Sequence, residues 1–333
     1  MPTIQDVAKK AGVAPMTVSR VINHSGYASL DVQQRVRAAV IELGYLPNTL
    51  ARGLRIKRSH TLALILSDIT NPFFTTVARG VEDAASQAGY TVIFGNTDES
   101  EEKESRYLDQ ILQKQVDGVL WVPAGESDHM VQLIRSHGTP LVVLDRKVPG
   151  ELVDTVRCDS EDGAYQLTHH LLELGHHQLA LLAGPHGVSV VADREAGFRR
   201  ALAEFGGRPP TVYYGPFTQE SGYALAQAAV AAQPRPTALV AANNFLAIGA
   251  YKALRDAGLE VPDDVALVGF DDLPVGLLFD PFLTAAIQPA YEMGRQAAEL
   301  LITRLSEPAP AQPQEIVLPV QVVIRQSSGV KLC

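Results

Sequence analysis

Residues 4–23 read IQDVAKKAGVAPMTVSRVIN, and this stretch decides how the chain begins. Thr3 is placed to cap a helix from Ile4 to about Ala11, with Asp6 supporting its first turn and complementing its dipole. Ile4, Val7, Ala8 and Ala11 fall at 3–4 spacing and form one apolar stripe. Gly12 ends that helix, and Pro15, suited to a first turn, opens a second one running to about Asn23. Val18, Val21 and Ile22 face inward, which leaves Thr17, Ser19, Arg20 and Asn23 on an open face. A third helix, about Leu30 to Leu43, follows Ser29, closes a small core with Val32, Val36, Val40 and Leu43, and stops at Gly44. Three helices in this arrangement make a compact helix-turn-helix unit, whose second helix fits the DNA major groove.

Charge agrees with that reading. Residues 1–60 carry nine Lys and Arg against three Asp and Glu, a surplus of +6; with −9 for the whole chain, −15 remains for the rest. A basic head on an acidic body is an electrostatic footprint for phosphate backbone at one end. At 333 residues the chain is long for one domain. Its apolar runs all fall short of the ~18 residues of a membrane span. Met1 to Lys10 lack the pattern of a signal peptide. Cys158 and Cys333 are the two thiols, too few and too scattered for a disulfide framework. A cytoplasmic protein is expected.

From Thr61 onward, apolar runs alternate with amphipathic stretches. LALILS, TVIFGN, GVLWVP and PLVVLD read as strands, separated by helix-length segments such as Phe73–Ala88 and Glu101–Gln115. A second series, QLALLAG, ALVAAN and VALVGF, follows with helices near Gly163–Leu174, Val191–Glu204, Gln219–Ala231 and Ala247–Ala257. Alternation of this kind predicts parallel sheets covered on both faces, here two doubly wound α/β subdomains. AGPHG and AANNF fall just after strands, where ligands bind in this architecture. PAPAQPQ, residues 308–314, reads as a stiff surface connection between the subdomains. His169, His170, His176 and His177 lack a ligand set with recognisable spacing, so no metal is expected. Nucleotide-binding and acyl-transfer motifs are absent from the sequence, and no cofactor is expected.

DVAKKAGVAPMTVSRVIN and ELGYLPNTLARGL, together with the body, resemble the lactose-repressor/galactose-repressor family of bacterial transcription regulators. The body's pattern, including NPFF and residues 95–120, is most similar to ribose- and purine-type members. The resemblance implies a helix-turn-helix domain over 1–46, a hinge helix and linker over 47–60, and an effector-binding and dimerisation domain over 61–333. That last domain resembles the periplasmic sugar-binding fold. Its N-subdomain would span about 61–159 and 290–317, its C-subdomain 160–289 and 318–333, with a ligand cleft between them.

By that resemblance Thr3, Pro15, Met16, Thr17, Ser19, Arg20, Asn23, Asn48, Ala51 and Leu54 form the DNA-binding set. Pro15, Met16 and Arg20 occupy base-reading positions; Thr17, Ser19 and Asn23 mainly touch phosphates. Neither Pro15 nor Met16 can form a bidentate bond to a base edge, so their readout is apolar, such as contact with a thymine methyl. Ala14 replaces the family's usual hydroxyl cap, at a cost of about 1 kcal/mol. Asn48 to Leu54, too short for a stable helix alone, implies a hinge helix that orders on DNA. Leu54 would wedge the central base step and Ala51 permit close approach of the partner's helix.

The effector set implied by the motifs is Phe73 and Phe74 in DITNPFF, Asp145 and Arg146 after the fourth strand, Arg194 in VSVVADREAGF, Asn243 in AANNF, Asp271 in VGFDD, and Gln288 in AIQPAYEMG. Guanidinium, amide and carboxylate together donate to and accept from vicinal hydroxyls. Asn244 departs from the aspartate common in the family, which removes a charge near the cleft. The expectation is a homodimeric repressor of double-stranded operator DNA controlled by a small effector: a sugar first, a purine or sugar phosphate next. A sugar-binding protein, or an enzyme acting on a sugar or nucleoside in the same cleft, is the alternative reading.

Overall fold

The computed structural model describes residues 2–23, 25–46, 58–125, 128–206, 210–273, 281–306 and 312–329. The chain divides into two compact units, 1–59 and 60–333.

The first unit contains α1 (Ile4–Ala11), α2 (Pro15–Ile22) and α3 (Leu30–Leu43). Thr3 and Asp6 form a capping box at α1, and Gly12 and Gly44 close α1 and α3 in the left-handed conformation. Glycine adopts that backbone without a Cβ clash. Val7, Val18 and Val36 are fully buried, with Ala39 also in this core and Ile4, Val32, Val40 and Leu43 packed at its margin. Arg35 Nη1 donates to the Ala11 carbonyl at 3.0 Å, tying α3 to the open C-terminal end of α1.

In the second unit, β1 (Thr61–Leu66), α4 (Pro72–Gln87), β2 (Thr91–Asn96), α5 (Glu101–Gln113), β3 (Gly118–Trp121), α6 (Asp128–Ser136), β4 (Leu141–Leu144) and β5 (Asp154–Cys158) build the first subdomain. The chain then forms α7 (Ser160–Glu173), β6 (Leu179–Ala183), α8 (Ser189–Glu204), β7 (Thr211–Tyr214), α9 (Gln219–Ala231), β8 (Ala238–Ala241), α10 (Asn244–Asp256), β9 (Ala266–Phe270) and β10 (Thr284–Ile287). It returns as α11 (Ala290–Ser306) and β11 (Glu315–Leu318), then crosses again to β12 (Gln321–Val323). The sheets are ordered β11-β5-β4-β3-β1-β2 and β12-β10-β9-β8-β6-β7. All pairings are parallel except β12 against β10.

Strand alternation sorts the first sheet's side chains into two layers. Leu62, Leu64 and Leu66 pack under α4 and α11, whereas Ala63 and Ile65 pack under α5 and α6. The α4–α11 contact depends on two glycines. A β-carbon at Gly80 would lie 2.1 Å from the Tyr291 carbonyl oxygen, and one at Gly294 would lie 2.0 Å from that of Val77.

Every strand and helix read from the apolar runs is present. The strands β5, β7, β10, β11 and β12 carry no such run; all five lie at or next to a sheet edge, and β5 is half polar. The expectation that PAPAQPQ links the subdomains is corrected. It joins α11 to β11, both in the first subdomain, where Arg304 of α11 and the backbone of Gln314 converge on Asp154 of β5. The subdomains are instead joined where β5 leads to α7, β10 to α11 and β11 to β12.

Candidate functional site

On the head, α2 presents Pro15, Met16 and Arg20 to solvent, with Met16 67% exposed. Thr17, Ser19 and Asn23 are half-buried. Asn23 Nδ2 donates to the Ser19 carbonyl at 2.8 Å and to its hydroxyl at 3.2 Å, so this amide is folded onto its own helix and not free as the spacing suggested. Thr3 spends its hydroxyl in the capping box. Ala14 makes no side-chain cap, and its carbonyl accepts from Thr17 and Val18. Asn48, Ala51 and Leu54 lie outside the described residues.

In the body, one cavity opens between the C-terminal ends of both sheets, with about 430 Å³ of non-protein space, part of it open to solvent. Phe73, Phe74, Asp145, Arg146, Arg194, Asn243, Asp271 and Gln288 all line it. Asp68, Asn71, Glu99, Val190, Phe217 and Phe245 complete the lining. Asp68 and Asn71 belong to the DITNPFF loop and Phe245 to AANNF, so their neighbours signalled them. Val190 lies in VSVVADREAGF and Glu99 within residues 95–120, though neither stretch singles it out; Phe217 lies outside every such motif.

The local backbone places the charges. Asp145 follows β4 and Asp271 follows β9, the equivalent strand of the second sheet. Both take positive φ, 64° and 61°, and each donates its N–H at 2.9 Å across the sheet, to Val156 and to Ala286. That shared bend turns a carboxylate inward from each subdomain. Asp272, beside Asp271, is instead clasped by Arg325 at 2.7 and 2.8 Å.

Arg194, 4% exposed, stacks its guanidinium 4.0 Å above the Phe270 ring and donates to the Ala242 carbonyl at 2.6 Å. Gln288 donates to Asp271 at 2.8 Å. Asn243 caps α10 by accepting from Leu246 N, so its amide hydrogens are what it has left to offer a ligand. Burial pushes the Asp271 carboxyl up to about 6 against the pull of Arg194 and Gln288, and it raises Asp145 as well. Burial also lowers Arg194. At Arg146 burial works against the charge, but the Glu99 carboxylate outweighs it and holds the guanidinium above its usual range.

Among the described residues, Asp145 Oδ1, Arg146 Nε, Arg194 Nε and Gln288 Oε1 are buried polar atoms with no hydrogen-bond partner in the protein. All four belong to residues lining this cavity. Buried donors and acceptors left unpaired cost ~1–3 kcal/mol each, so their convergence marks a place for a ligand carrying both. Phe73 and Phe74, edge to face at 5.0 Å between centroids, add an apolar wall.

Residues 3–48 match the family described as "Bacterial regulatory proteins, lacI family", and residues 59–325 match "Periplasmic binding proteins and sugar binding domain of LacI family". The ribose operon repressor of Halalkalibacterium halodurans is 38% identical over 332 residues, 98% of this chain and 97% of that one. The lac repressor dimer bound to operator and the anti-inducer ONPF superposes with a TM-score of 0.87 at 27% identity, covering 98% of this chain and 99% of that one. A LacI family transcriptional regulator from Enterococcus faecium, solved with bound ribose, gives 0.72 at 32% identity, covering 80% of this chain and 98% of that one.

Proposed function

Because this chain belongs to the lacI family of bacterial regulatory proteins, we propose that it is a sequence-specific DNA-binding repressor whose hold on its operator is set by a small hydroxyl-rich molecule in the cleft. The carrying observation is a solvent-facing helix α2 in the same chain as a cavity where four buried polar atoms converge without partners.

Residues 1–46 bind DNA, 47–60 act as a hinge, and 61–333 hold the effector and pair two copies. Pro15, Met16 and Arg20 read bases and Thr17 and Ser19 meet the phosphates, while Thr3 and Asn23 reach them only by giving up their bonds to Asp6 and Ser19. Asn48, Ala51 and Leu54 form the hinge contacts in the minor groove. Arg194, Arg146 and Asn243 donate to ligand hydroxyls, Asp145, Asp271 and Gln288 accept from them, and Phe73 and Phe74 cover an apolar face. A monosaccharide suits this set, which pairs aromatic walls with closely spaced donors and acceptors. The curated relative is a repressor rather than an enzyme, and we take this chain to have no turnover and to act in the cytoplasm, where its operator lies. Among the described residues no helix is long and apolar enough to cross a membrane.

An effector moves the repressor between states only through different affinities for them. The test is to select duplexes from a random pool with the full chain, then titrate the enriched sequence by fluorescence anisotropy with and without ribose, arabinose, galactose and hypoxanthine. One of these ligands is expected to change operator affinity at least about fivefold. Failure to enrich any sequence, or affinity indifferent to every ligand, counts against the reading.

A further inference from the structure

The two arginines of the cleft are not equivalent. A guanidinium has five N–H donors, and Arg146 has four of them engaged by the protein. Nη1 donates to Glu99 Oε2 at 2.7 Å and to the Pro123 carbonyl at 2.5 Å. Nη2 donates to Glu99 Oε1 at 2.5 Å and to the Ser67 hydroxyl at 3.4 Å. Nε alone is left, 3.8 Å from Asp145 Oδ2. Glu99 therefore fills the two-pronged face with which a guanidinium grips a phosphate or carboxylate.

Resting on the reading of the cleft as a sugar site, we propose that Glu99 sets its charge selectivity: by occupying the fork of Arg146 it makes the site accept neutral sugars and reject phosphorylated or carboxylated ones. Charge around the cavity points the same way. Asp68, Glu99, Asp145 and Asp271 face Arg146 and Arg194, four acids against two bases. With both buried aspartates protonated the lining is still not positive, so an incoming anion gains no net attraction and loses its hydration.

The backbone shows how firmly Glu99 is placed. Asp98 and Glu99 are consecutive non-glycine residues at positive φ, 50° and 56°. Such residues cost about 1–2 kcal/mol each. The bend is held by Thr97 N to Leu66 O, Glu99 N to Ser67 O, and Asn96 Nδ2 to Asp98 Oδ1. Lys103 pairs with Asp98 from the far side. Strain kept under that many constraints is found where a side chain has to be aimed.

The experiment is calorimetric titration of the full-length protein, without DNA, against ribose, glucose and galactose and against ribose 5-phosphate, glucuronate and galacturonate. Wild type is expected to bind a neutral sugar at least about 100-fold more tightly than its anionic counterpart. Glu99→Gln releases one prong of Arg146 and is expected to narrow that ratio at least about tenfold, with the gain fading as salt is raised. Glu99→Asp keeps the charge and is expected to keep the discrimination. Should Glu99→Gln fail to fold, wild type alone decides: equal binding of a sugar and its anionic counterpart overturns the assignment. An unchanged ratio in a folded Glu99→Gln overturns it too. Absence of any sugar binding by wild type defeats the reading of the cleft itself and this assignment with it, whereas neutral-sugar binding with an unmoved ratio defeats the role of Glu99 alone.

Discussion

Asn71 and Asn244, one from each subdomain, exchange amide hydrogen bonds across the cleft, at 3.2 Å from Asn71 Nδ2 to Asn244 Oδ1 and 3.0 Å in return. Neither amide is free to flip. Asn71 Oδ1 also accepts from Phe73 N at the start of α4, and Asn244 Oδ1 from Phe245 N at the start of α10. Each helix start therefore dictates which end of the amide its neighbour meets. With Lys147 bonded to Ser189 and Asp193, the pair joins the two subdomains directly.

Asn244→Asp puts a carboxylate oxygen opposite Asn71 Oδ1, two acceptors about 3 Å apart, and a buried mismatch of this kind costs ~1–3 kcal/mol. The cleft should then open more readily, and sugar affinity should fall roughly tenfold by calorimetry. An unchanged affinity would show that the amide pair contributes nothing to closure.

Arg194→Lys removes a planar group that stacks on Phe270 while donating to Ala242 and Ser160. A lysine ammonium cannot do both, so effector affinity should drop at least about 30-fold. Operator binding without effector should stay within about twofold, because Arg194 belongs to the body and not to the head. Anisotropy with and without sugar separates the two.

The buried Asp271 gives a pH signature of opposite sign to a salt-bridged acid. Its carboxyl titrates at about 6 when folded against 3.8 as the ordinary value. Between those values the folded state holds a proton that the unfolded state has released, so stability falls as pH rises through the window and levels off above it. Asp145 is raised by burial and adds in the same direction. Against Asp271→Asn, wild type should lose on the order of 2 kcal/mol between pH 4 and 7. Wild type that keeps or gains melting temperature relative to Asp271→Asn as pH rises from 4 to 7 contradicts this.

Gly80→Ala would press a methyl group into the Tyr291 carbonyl at 2.1 Å. Backbone cannot yield as a side-chain tip does, so α4 and α11 must separate, at a cost of about 1–3 kcal/mol or more. Thermal denaturation of the full chain should show a drop of several degrees.

Ala14→Ser restores an oxygen at the start of α2, within reach of the Thr17 N–H that now bonds the Ala14 carbonyl. A gain of about 1 kcal/mol is expected, seen as roughly fivefold slower amide exchange in α2.

Sequence alone settled what repeats along the chain. Helix periods, capping residues and apolar runs are local, so α1 to α3 and the central strands could be read from spacing; α3 begins and ends at the expected Leu30 and Leu43. Motif resemblance also named eight residues that do line one cavity, because a strand's C-terminal end and the next helix start lie side by side in the chain. Tertiary structure decided what depends on partners far away in sequence. Edge strands such as β7 and β12 have weak apolar patterns because solvent takes part of each face. The choice of Asp271 over Asp272 rests on Arg325, 53 residues beyond Asp272. The pairing of Glu99 with Arg146 spans 47 residues, and that of Asn71 with Asn244 spans 173. No local pattern encodes such contacts: the first two exist only once a sheet has folded, and the third only once the two subdomains face each other.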